Sequence, residues 1–137
     1  MGRIIAIDYG TKRTGLAVTD PLQIIATALD VVETDGLLKY LKSYFHKEPV
    51  DAIVIGLPKS LNNEENEMTA AVRAFAEVLR KNFPAKPLHF LDERFTTKIA
   101  LQTMIDGGMK KSDRRVKGAA DKISATIILQ DFMSSKK

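Results

Sequence analysis

The stretch IIAIDYGTKRTGLAVTD, Ile4–Asp20, decides how the chain is read. Ile4–Ile7 is apolar at every position, which predicts a central strand buried on both faces. Asp8 ends that run with a carboxylate. Gly10 to Arg13 turn the chain, and Thr14–Thr19 reads as a second, shorter strand, so the two form a hairpin. A charge set beside a core needs a reason. Either Asp8 caps a turn, or it does chemistry.

Outward from the hairpin, Asp20-Pro21 signals a turn and Ile24–Val32 a third strand. Thr34-Asp35 offers a helix cap, and Leu37, Leu38, Leu41, Tyr44 and Phe45 recur at helical spacing until Pro49. Ala52–Leu57 (AIVIGL) reads as another buried strand, followed by a loop from Pro58 to Asn63. Met68, Val72, Phe75 and Leu79 mark a second helix, with Glu64 and Glu65 favourably placed near its start. Leu88–Leu91 is the last strand and runs into Asp92-Glu93-Arg94. Thr96 or Thr97 caps a short helix to about Ile105, which Gly107-Gly108 stops. A basic stretch follows, then an amphipathic helix over Ala119–Met133. This order predicts an α/β fold: a mixed five-stranded sheet, with a three-strand antiparallel meander plus two parallel strands, flanked by helices. The 137 residues fit one domain, 1–137.

Composition removes several classes. There is no cysteine, which excludes disulfides and thiol chemistry. No apolar run approaches the roughly 18 residues of a membrane span. Ile4–Ile7 is too short for a signal-peptide core, and Ala6 stands where myristoylation wants Ser or Thr. The expectation is a cytoplasmic protein with no membrane partner. Formal net charge is +4. Lys110, Lys111, Arg114, Arg115 and Lys117, offset only by Asp113, carry all of it. That is a local feature suited to a polyanion, or a solvated turn.

Sites in open α/β sheets form beyond the carboxyl ends of parallel strands. There the sequence offers Asp8, the carboxylate-free turn at Gly56, and Asp92-Glu93. Asp121 heads a helical stripe continued by Ala125, Ile128 and Phe132. If that helix packs on the first strand, Asp121 approaches Asp8. Carboxylates converging at one edge repel without a cation, and they make a hard-oxygen site for Mg²⁺ or Mn²⁺. Two such ions, roughly 3.5–4 Å apart, activate a water and stabilise the leaving oxygen in phosphodiester cleavage. Singly, each acid has a plainer role. Asp8 caps its turn, Asp92 or Glu93 pairs with Arg94 or Lys98, and Asp121 interacts with its helix N-terminus. His46 and His89 read as ordinary surface or edge residues.

Four segments together, DYGTKRTGLAV (Asp8–Val18), IGLP (Ile55–Pro58), DERFTT (Asp92–Thr97) and DKISATIIL (Asp121–Leu129), resemble the YqgF/RuvX family of pre-16S rRNA nucleases and Holliday-junction-resolvase-like proteins. The match runs from the first strand to the last helix. It implies an RNase H-like fold and metal-dependent cleavage of a nucleic-acid phosphodiester, in processing the 5′ end of pre-16S rRNA during ribosome maturation. Resolution of branched DNA, or a non-catalytic nucleic-acid or ribosome-binding adaptor, are the alternatives. An actin-like nucleotide site, which Asp8-Tyr9-Gly10-Thr11 also resembles, needs two such halves, and this chain holds one.

By the matching motifs, Asp8, Glu93 and Asp121 form the acidic, metal-holding set, with Asp92 the alternative to Glu93. Gly10 allows backbone to approach a phosphate, and Thr11, Lys12 and Arg13 donate to phosphate oxygens. Arg94 stabilises the substrate phosphate or orients Glu93. Lys110, Lys111, Arg114, Arg115 and Lys117 grip the nucleic-acid backbone in a salt-dependent way. The chain departs from the pattern in two places. RuvC resolvases carry a Glu on strand four, where Gly56 stands, and a glycine common after Gly-Leu-Pro is replaced by Asn62-Asn63. No aromatic cluster invites base stacking, so recognition by shape and backbone is expected. RNA is favoured over branched DNA, a pre-ribosomal particle is a candidate partner, and the protein is a monomer or homodimer.

Overall fold

A computed structural model describes residues 2–58, 66–92 and 119–135, with the backbone alone for 119–122. Five strands form one sheet: β1 (Arg3–Asp8), β2 (Arg13–Thr19), β3 (Ala26–Glu33), β4 (Val50–Leu57) and β5 (Leu88–Asp92). Their spatial order is β3-β2-β1-β4-β5. β1 pairs antiparallel with β2, and β2 with β3. β1 pairs parallel with β4, and β4 with β5. This is the meander-plus-parallel arrangement that the sequence predicts, with the apolar Ile4–Ile7 run at its centre. The short helix expected from Thr96 or Thr97 to about Ile105 lies outside the described residues.

Strand alternation sorts the core into two layers. Ile5, Ile7, Leu16, Val18, Ile53, Ile55 and Leu57 face α1 (Leu37–Lys47) and α2 (Glu67–Asn82), which contribute Leu37, Leu41, Val72 and Leu79. Ile4, Ala6, Ala17, Ala52 and Val54 face the other way. They pack under Ala125, Ile128, Leu129 and Phe132 of α3 (Ala119–Ser135). Three alanines on that face leave room for α3 to lie close to the sheet. The expected stripe Ala125, Ile128 and Phe132 is buried, but Ser124, Ile127 and Leu129 are buried as well. The helix is therefore not amphipathic in the expected sense. It crosses several strands, β1 to β4 among them, and so covers more than one stripe.

Two further expectations need correction. β3 begins at Ala26, not Ile24. The Asp20 carboxylate accepts from the backbone N–H groups of Leu22, Ile24 and Ile25 at 3.2, 2.7 and 2.7 Å. Those donors are taken by a side chain, so the chain turns before it can pair. These bonds, Ile25's foremost, hold the Asp20 carboxyl below its ordinary pKa. Gln23 sits at φ 60° and ties the loop down, donating from Nε2 to the Gly2 carbonyl at 2.7 Å. Leu22, Ile24 and Ile25 consequently stand exposed.

Nor does Thr34-Asp35 cap a helix. Thr34–Gly36 forms a 3-10 turn, and α1 starts at Leu37 with no side-chain cap. The Thr34 hydroxyl donates instead to the Gly10 carbonyl.

α2 is capped by Asn66. Its Oδ1 accepts from the Thr69 N–H, and Thr69 Oγ1 accepts from the Asn66 N–H, each at 3.0 Å. The Thr69 hydroxyl also donates to the Pro58 carbonyl, tying the end of β4 to the start of α2. Asn66→Ala is expected to cost about 1 kcal/mol. A melting temperature lower by a few degrees would register that loss, and an unchanged one would mean that the cap carries no stability.

Candidate functional site

Asp8 is the last residue of β1 and is half-buried. It follows Ala6 on the α3 face and sits opposite Gly15 of β2. In β4, Ile55 pairs with Ile7, so the glycine after it, Gly56, flanks Asp8 on the same face. No side chain projects from β4 beside the carboxylate. This is the strand-four position at which the sequence departs from the RuvC pattern, with Gly56 where those resolvases carry a Glu.

The direction of α3 follows from its far end. Gln130, Met133 and Ser134 share a cleft with Ile4 and Ala26, at the beginnings of β1 and β3. The Phe132 ring lies 5.1 Å from that of His89, near the start of β5. The helix therefore runs antiparallel to β1, and its first turn, which contains Asp121, points toward the Asp8 end of the sheet. His89 packs its ring against Phe132.

β5 distinguishes the two acids at its end. Leu91 packs with the α3 layer, whereas Leu88 and Phe90 pack with the α1/α2 layer. Asp92 pairs with Leu57, itself an α1/α2-layer residue. Alternation puts Asp92 on the face opposite Asp8, and it is exposed there. Glu93, Arg94, Lys110, Lys111, Arg114, Arg115 and Lys117 lie outside the described residues. Among the described residues, no three acids or histidines form a metal-holding group.

The turn after Asp8 is tightly built. A Cβ on Gly10 would lie 2.2 Å from the Arg13 carbonyl oxygen, so only glycine fits. The Thr34 hydroxyl donates to the Gly10 carbonyl at 2.6 Å and lies 2.9 Å from the Thr14 hydroxyl. Thr14 Oγ1 accepts from the Gly10 N–H at 3.4 Å. The Thr34 N–H donates to the Lys12 carbonyl at 2.9 Å. Tyr9 leaves this end of β1 to stack on Phe75 of α2, 5.0 Å between ring centroids. Thr14 and Thr34 escaped the sequence reading, since hydroxyls obey no hydrophobic period and Thr34 read as a cap.

Thr11 and Lys12 are exposed, and with Arg13 they line an open cleft of about 510 Å³. Glu33 and Asp35 line it too. The turn's cations thus stand beside acids, and the cleft is mixed in charge.

The chain superposes along nearly its whole length on solved Holliday junction resolvases. A model of the family described as "RuvX: Holliday junction resolvase" matches residues 2–135. A Phocaeicola vulgatus protein named "Putative pre-16S rRNA nuclease" is 54% identical over 100% of this chain and 99% of its own. One of the same name from Bacteroides thetaiotaomicron is 51% identical, with the same coverage. RuvC of T. thermophilus, solved with a Holliday junction substrate, superposes with a TM-score of 0.59 at 20% identity, over 98% of this chain and 95% of that one. The Fowlpox virus resolvase, solved with Holliday junction DNA, gives 0.62 at 10% identity, over 98% of each. The fold is RNase H-like, of the resolvase type, and the protein is a nuclease. The chain belongs to the RuvX family. No described helix is long and apolar enough to cross a membrane.

Proposed function

We propose that the chain, 1–137, is a single RNase H-like domain that cleaves phosphodiester bonds at the 5′ end of pre-16S rRNA, using a divalent ion held by Asp8, Glu93 and Asp121. The observation that carries this reading is the shared placement of Asp8 and the first turn of α3. Both lie at the carboxyl end of β1, and Asp8 is on the face α3 covers. Strand alternation favours Glu93 over Asp92 as the third acid, because Asp92 falls on the other layer.

The donor set fits the metal. Carboxylate oxygens suit Mg²⁺ or Mn²⁺, and Gly56 leaves the space beside Asp8 free of a β4 side chain. Such an ion, when bound, activates a water and neutralises charge on the leaving oxygen. The protein's own residues do the rest. The close-packed Gly10 turn brings backbone amides near a phosphate. Lys12 and Arg13 attract the nucleic-acid backbone, and Glu33 and Asp35 in the same cleft limit how many phosphates it accepts. Arg94 orients Glu93 or the substrate phosphate. Lys110, Lys111, Arg114, Arg115 and Lys117 supply salt-sensitive grip. The relatives' names favour ribosomal precursor RNA as the substrate. On this reading the protein works in the cytoplasm, on RNA that is free or within a pre-ribosomal particle.

The family description favours a second reading, resolution of branched DNA. A resolvase cuts two strands symmetrically and so works as a two-fold dimer. One experiment separates the two. Purified protein with Mg²⁺ or Mn²⁺ is given pre-16S RNA and a four-way DNA junction side by side, with its mass measured in solution. The expected result is metal-dependent shortening of the RNA 5′ end and an intact junction. Junction cleavage by a dimer, with the RNA untouched, would reverse the assignment.

A further inference from the structure

We propose that Thr34 is a positioning residue for the nuclease site, acting through a ring of hydrogen bonds that fixes the turn after Asp8. The inference rests on the reading of that turn as an element that meets substrate phosphate.

The ring follows from proton accounting. A hydroxyl has one proton to give. That of Thr34 goes to the Gly10 carbonyl, 2.6 Å away. The 2.9 Å contact between the two hydroxyls therefore takes its proton from Thr14. Thr14 Oγ1 in turn accepts the Gly10 N–H at 3.4 Å. The circuit closes on Gly10, whose donor and acceptor are both engaged. A fourth bond, from the Thr34 N–H to the Lys12 carbonyl at 2.9 Å, holds the turn two residues further on.

Thr14 is fully buried at the base of the ring, on β2. Thr34 comes from the 3-10 turn that leads into α1. The segment carrying Asp8 and Lys12 is thus pinned from outside the hairpin, by a residue 24 positions from Gly10. Because Gly10's own amide is committed to the ring, the groups left to face a phosphate are those that Thr11 and Lys12 expose. Their direction is set by the ring. A pre-ordered turn loses less freedom on binding, which strengthens binding without touching the chemical step.

The test compares wild type with Thr34→Val and Thr34→Ser. Valine keeps the shape and the backbone bond to Lys12, but removes the two bonds made by the Thr34 hydroxyl. Serine restores them. With Mn²⁺ and precursor RNA, Thr34→Val is expected to raise KM about tenfold and leave kcat within about twofold. Thr34→Ser should return KM to within about twofold of wild type. Independently of cleavage, hydrogen exchange at the Gly10 amide should quicken about tenfold in Thr34→Val and not in Thr34→Ser. Thr34→Ala serves in the same way if valine is not accommodated.

A lower melting temperature with KM unchanged, in a preparation whose wild type cleaves, would overturn the proposal and leave the nuclease reading standing. A wild type that cleaves neither nucleic acid with either metal would overturn the nuclease reading, and this proposal with it.

Discussion

Asp8→Asn is expected to lower metal-dependent cleavage on the order of 10³-fold or more, while the protein stays folded. Asparagine keeps the shape and half the oxygen character of the side chain, but not its charge. A metal's stabilisation of transition-state charge is worth several kcal/mol, and each 1.36 kcal/mol is tenfold in rate. Asp8 is half-buried at a strand end, so the isosteric change opens no cavity, and the melting temperature should hold within a few degrees. Single-turnover rates with Mn²⁺, beside a thermal melt, measure both. Activity within tenfold of wild type would remove Asp8 from the mechanism.

Gly10→Ala should damage both stability and activity. The new methyl would lie 2.2 Å from the Arg13 carbonyl oxygen and 3.4 Å from its carbon. Those atoms are main chain and cannot swing aside. The turn must open by about 1 Å, which costs about 1–3 kcal/mol of overpacking strain. The Gly10–Thr14–Thr34 ring opens with it. Displacement of that size next to a reacting centre costs on the order of 10²-fold in rate. Measured kcat/KM and melting temperature should fall together. Wild-type kcat/KM in this variant would show that the turn's shape does not matter to the reaction.

The central layer was legible from apolar periodicity. Ile4–Ile7, Ala52–Leu57 and the stripe Ala125, Ile128 and Phe132 carry it, because burial leaves a continuous apolar run on a strand covered on both faces and a spaced stripe on a helix. The same mark led from Asp8 and Asp121 to a common edge, which the packing of α3 on the β1 face supports. Side-chain hydrogen bonding leaves no such mark. Asp20 takes three backbone donors that Ile24 and Ile25 would otherwise have offered to a strand. Thr34 has the right residue type for a cap and spends its hydroxyl on Gly10 instead. The matching motif named Glu93 with Asp92 as its alternative, but apolar periodicity could not say which face Asp92 takes, since that depends on the β4 residue beside it. Leu57 stands there, which puts Asp92 on the layer away from Asp8.

The lid over the inner face of the first strand is encoded more than a hundred residues after it. While the chain is being made, Ile4, Ala6 and Ala17 stay wet until α3 has left the ribosome, however early the hairpin forms. A loop that long is slow to close. The proposed meeting of Asp8 with Asp121 waits for that late step, and a half-made chain still attached to its ribosome would hold no complete set of acids.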